Sequence, residues 1–175
     1  MSRRLTTIAV IVPLTIVGAI VAFTTGWIVI VPVVFGVGIP LVNLERPPMK
    51  KLALVALIAF INLIVFLLEV LVLLNIPYDK YVYPTIAEGI AGVLVLVVNG
   101  LFIKSITINW KTGVFIFLLS ALAIPLSLGL IETFVEDSSL PTVVQDFFKQ
   151  FGGMILWVIF TTLGVVYAMK PTDKS

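Results

Sequence analysis

Two glutamates stand where glutamate is costly. Glu69 lies inside INLIVFLLEVLVLLN (61–75), and Glu88 lies inside PTIAEGIAGVLVLVVNGLFI (84–103). A carboxyl group in hydrocarbon is expensive, and where one occurs it commonly serves an ion, a proton or a substrate. Asn62 precedes Glu69 by seven residues, two turns on the same helical face. Glu88, Gly92 and Asn99 share a face in the same way. The two glutamate stretches are joined by a short loop, so they are expected to pack antiparallel. Glu69 is five residues from the loop end of its stretch, and Glu88 is four residues from the loop end of its own. By helical rise these depths are about 7.5 Å and about 6 Å. Two carboxyls at one depth in a low dielectric resist being ionised together and can share a proton. That equips Glu69 and Glu88, with Asn62 and Asn99 beneath them, as a candidate site for an ion, a proton or a substrate. The plainer reading is that both glutamates reach water or pair with Lys80, and that the asparagines join helices.

Other chemistry is narrowly bounded. The chain has no cysteine and no histidine. Disulfides, thiol redox chemistry, the common zinc and copper ligands and histidine acid–base catalysis are therefore absent. No phosphate-binding glycine loop, paired-aspartate metal motif or G-x-S-x-G elbow occurs. The expectation is no catalytic residue, no metal site and no cofactor. A nucleic-acid partner would need a clustered basic face, and none is present.

The elements that must position these residues are membrane spans. Of 175 residues 61% are hydrophobic and 11% charged, against roughly 45–50% and about 25% in soluble proteins. The mean hydropathy is +1.23. A soluble domain of this size could not hide so much apolar surface. The expected fold is all-α: a polytopic helical bundle forming one transmembrane domain over residues 1–175. Its six spans are predicted at about 6–23, 27–43, 52–74, 84–103, 112–133 and 151–169. Most approach the ~20 residues that cross a bilayer. The second is the shortest and holds Pro32, Gly36, Gly38 and Pro40, so it reads as a kinked span or as a re-entrant hairpin with the first. The first is expected to remain as an uncleaved span rather than act as a signal peptide, because Ala22 and Thr24 make a poor cleavage site.

Charge sets the orientation. With the N-terminus inside and six spans, Arg3, Arg4, Arg46, Lys50, Lys51, Lys104, Lys111, Lys170 and Lys174 face the cytoplasm. Only Lys80 and Lys149 face outward. This bias predicts both termini cytoplasmic, in a cell membrane. ERPPMKK (45–51) marks the clearest internal boundary. TVVQDFFKQF (142–151) reads as a short surface helix at the interface. The prolines of VPLT (12–15) and IPLS (124–127) are expected to kink their spans, with the nearby hydroxyls satisfying freed carbonyls. Ser120 and Ser127 are expected to bond their own helix, and Gly164 with Ala168 to form a small-residue packing pair. Trp27, Trp110, Tyr78, Tyr81 and Tyr83 read as interfacial anchors.

Two functions follow. The first is a non-enzymatic subunit of a membrane assembly, with the lipid bilayer and other membrane subunits as partners. The alternative is a small transporter or ion- or proton-conducting protein using Glu69 and Glu88. A membrane enzyme acting on lipid or isoprenoid substrates ranks third, for want of a catalytic constellation. In size and topology alone, six spans in so short a chain resemble the small substrate-binding subunits of modular vitamin importers. That likeness carries over no residue.

Overall fold

Apolar stretches separated by short polar breaks become helices, because a backbone in lipid must satisfy its own hydrogen bonds. The computed structural model describes residues 3–75, 82–135 and 138–170. Its helices are α1 (Arg3–Thr25), α2 (Ile30–Asn43), α3 (Pro48–Asn75), α4 (Val82–Phe102), α5 (Trp110–Ala121), α6 (Ala123–Phe134) and α7 (Thr142–Ala168). Five rods are long and apolar enough to cross a membrane: α1, α3, α4, the α5–α6 pair and α7. The shorter α2 is a sixth apolar helix.

Small residues fix how α1 and α2 meet. A Cβ added to Gly38 would lie 3.1 Å from Ile11, and one added to Gly18 would lie 3.4 Å from Val34. Asn43 donates to the Thr7 hydroxyl over 3.1 Å, and Arg3 pairs with Glu45. The hairpin is therefore antiparallel along its whole length. Helix α1 runs alongside most of α7. Phe23 packs edge-on against Phe147 and Phe151 of α7, and at the other end Arg4 donates to the Met169 carbonyl.

Four segments meet at that second end. Lys170 N donates to the Ser105 carbonyl over 2.7 Å, and Thr107 N donates to the Ala168 carbonyl over 2.8 Å. Together they form an antiparallel bridge between Ile106 and Met169. With Arg3 and Glu45 they place the start of α1 and the end of α7 at one end of the bundle. The packing order α1, α2, α3, α4, α5, α7 closes into a ring as α7 returns to α1, and α6 lies against α7 and α4. Helices α4 and α7 also touch across the ring. The interior is packed at that level, with Phe35, Ile58, Leu96, Ile116 and Val158 essentially inaccessible.

Two expectations need correction, and one is met. Residues 142–151 form no separate surface helix. They are the opening turns of α7, which runs unbroken for 27 residues, because Phe147 and Phe151 have Phe23 to pack on. The fifth span is interrupted at Leu122, just before IPLS (124–127), whose proline was expected to kink it. Pro125 has no N–H to offer the Ala121 carbonyl, so the helical ladder loses a rung there. Pro13, by contrast, is accommodated inside α1. Nor does the Thr15 hydroxyl rescue the carbonyl that Pro13 frees, for it bonds the Ile11 carbonyl at 2.8 Å.

Candidate functional site: a carboxyl pair between two helices

The inner stripe of α3 runs Val55, Ile58, Ala59, Asn62, Val65, Phe66, with Glu69 in the same register. That of α4 runs Gly89, Ala91, Gly92, Val95, Leu96, Asn99, with Glu88 at its head. Glu69 lies six residues before the end of α3, and Glu88 six residues after the start of α4. Each is therefore about 9 Å along its helix from the connecting segment. The antiparallel packing of α3 on α4 turns this equal depth into contact. The two carboxyls come close enough to interact with each other. An ionised carboxylate only accepts hydrogen bonds, so a bond between them would require a proton on one partner. Both residues are half-buried, and Glu69 Oε1 is enclosed without a partner.

The backbone under the pair is held by α7. Trp157 is buried, and its indole Nε1 donates to the Glu88 backbone carbonyl over 3.1 Å. The same indole packs edge-on against Phe35 of α2, with ring centroids 5.6 Å apart. One side chain thus links α2, α4 and α7. On its other flank α4 presses on α5. A Cβ on Gly89 would come 2.6 Å from the Phe117 ring, and one on Gly92 would come 2.2 Å from Ser120 Oγ. No larger residue fits at Gly92 without moving α5. Ser120 in turn shares a hydrogen bond of 2.9 Å with Thr161 of α7. It therefore bonds across helices rather than to its own backbone, contrary to expectation. Gly164 behaves as the packing contact expected of it, since a Cβ there would meet Ile116 at 2.5 Å.

The asparagines are as deep as expected but make no bond between helices. Asn62 is 3% exposed, and neither of its amide atoms has a partner. It lies where Gly36 of α2 packs tightly on α3, since a Cβ on Gly36 would be 3.2 Å from Asn62 Cβ. Asn99 is fully buried and donates to the Val95 carbonyl of its own helix over 2.9 Å. Its Oδ1 has no partner. Each unpaired buried group costs about 1–3 kcal/mol.

Two residues had no part in the sequence reading and define the site here. Trp157 sits within the apolar run MILWVIF, where an aromatic residue reads as a lipid-facing or core side chain alike. Thr161 was one hydroxyl among several. Trp27, Trp110 and Tyr83 are exposed, as interfacial anchors should be. Tyr78, Tyr81 and Lys80 lie outside the described residues, so the expected Lys80 pairing does too. Among the described residues no group of three or more acidic, histidine or cysteine side chains could hold a metal ion. No protein family, curated protein or solved structure matches the chain.

Proposed function

We propose that this is a small membrane transporter or ion-conducting protein that takes up and releases a proton or cation at Glu69 and Glu88. The observation that carries this reading is the close approach of the two carboxyls, at matched depth on two packed helices. A pair of this kind changes its charge by one when a single proton or monovalent cation enters or leaves. In an apolar setting that change alters how strongly α3 and α4 hold together. The reading requires no bond-making chemistry. An accessory-subunit role draws no comparable support, because exposed apolar residues such as Leu14, Val17 and Ile20 are what lipid itself demands.

Reconstitution into liposomes with an internal pH dye, and separately with sodium- and potassium-sensitive dyes, tests the reading. An imposed potential should drive flux of a proton or one of these cations. Glu69→Gln and Glu88→Gln should each reduce that flux to the level of protein-free liposomes. Equal flux in the wild type and both variants would overturn the proposal.

A further inference from the structure

The carboxyl pair is near one end of the bundle, and a permeating species must still cross the rest. The unpaired buried polar atoms lie along that remaining path. Asn62 on α3, Asn99 on α4 and Thr162 on α7 are each at least nine-tenths buried, and each has a side-chain polar atom with no partner. All three lie between the carboxyl pair and the end where Arg4 meets Met169. Measured by helical rise from the level of the carboxyl pair, Thr162 is about 7.5 Å beyond Trp157, which bonds the Glu88 carbonyl. Asn62 is about 10.5 Å from Glu69 along α3, and Asn99 about 16.5 Å from Glu88 along α4. The Ser120–Thr161 hydroxyl pair, with Ser120 against Gly92, falls between the carboxyl pair and Asn62. Polar atoms are thus staggered down an interior that is otherwise apolar.

Asn62 is the strongest of them. Both its donor and its acceptor are free, beside the contact of Gly36 of α2 with α3. A neutral amide with donor and acceptor both available can orient hydrogen-bonded water on either side without ionising. We infer that Asn62 is the inner station of the carboxyl site, holding water that carries protons between Glu69–Glu88 and the Asn99 end of the bundle. The transported species is then the proton. A proton arrives at the carboxyl pair from the side of Trp27 and leaves to water at Asn62, and the pair returns to its starting charge. No other group changes its protonation state over the cycle. This rests on the proposed role of the carboxyl pair and deepens it.

The test uses proton flux in liposomes together with thermal stability of the purified protein. Asn62→Leu removes both unpaired atoms and should leave the protein folded, with a melting temperature equal to or above that of the wild type. Proton flux should fall to background. Asn62→Gln, which keeps the amide, should retain measurable flux. A second readout needs no flux. Asn62→Cys, in a chain otherwise free of cysteine, should react with a small water-soluble thiol reagent, whereas Ile58→Cys, one turn away, should not. Wild-type proton flux in Asn62→Leu, or an inert Asn62→Cys, would overturn the water path while leaving the carboxyl site standing if Glu69→Gln still abolishes flux. Undiminished proton flux in Glu69→Gln would instead remove the carboxyl site, and this inference with it.

Discussion

The indole of Trp157 donates to the backbone carbonyl of Glu88 across 3.1 Å. The helix bearing one carboxyl is thereby held by a residue more than sixty positions away in sequence. Trp157→Phe keeps most of the ring's bulk and deletes this bond. A loss of about 0.5–1.5 kcal/mol in stability is expected, seen as a lower melting temperature in detergent. Flux should fall as well, because α4 is freer to shift against α3. An unchanged melting temperature would show that the bond does not brace α4.

Glycines on α4 and on the fifth span make a paired comparison. Gly92→Ala drives a methyl group into Ser120 Oγ, where the separation would be 2.2 Å. Overpacking of this kind costs about 1–3 kcal/mol. Gly113 and Gly129 have nothing within 4 Å of an added Cβ, so Gly113→Ala and Gly129→Ala should leave stability within about 0.5 kcal/mol of the wild type. Melting curves of the three variants check both halves. Equal effects at all three sites would contradict the packing of α4 on α5.

The distribution of basic residues, nine on one side of a six-span arrangement and two on the other, predicts an orientation that labelling can test. Thr25 is exposed at the turn between α1 and α2, and Lys104 is exposed at the opposite end of the bundle. In intact cells an impermeant thiol reagent should label Thr25→Cys. Lys104→Cys should be labelled only after the membrane is opened. The reverse pattern would invert the protein.

How much of this was legible in sequence depends on what lipid does to a pattern. The apolar stretches, the antiparallel pairing of α3 with α4 and the matched depth of Glu69 and Glu88 were read from length and spacing; the structure shows five helices long and apolar enough to span and a shorter sixth, and it brings Glu69 and Glu88 together. The partners of Trp157 and Ser120 were not legible. In a soluble helix the apolar stripe points to the core, whereas in lipid the outer face is just as apolar. The interruption at Leu122 was legible through Pro125, three residues later, whose missing N–H marks a kink in any helix. The opening turns of α7 resembled an interfacial helix because their alternation is real. What keeps them in the span is Phe23, far away in the chain.

The central claim is that Glu69 and Glu88 act as one titrating unit. Infrared difference titration of the carboxyl C=O band in liposomes tests it directly. Glu88→Gln keeps the size and hydrogen bonding of the side chain while removing its ability to ionise. If the pair shares a proton, the titration of Glu69 in this variant should be displaced from its course in the wild type. The band shape should also change as the carboxyl–carboxyl bond is lost. Superimposable titrations in the two proteins would show that the carboxyls are independent and would contradict the account.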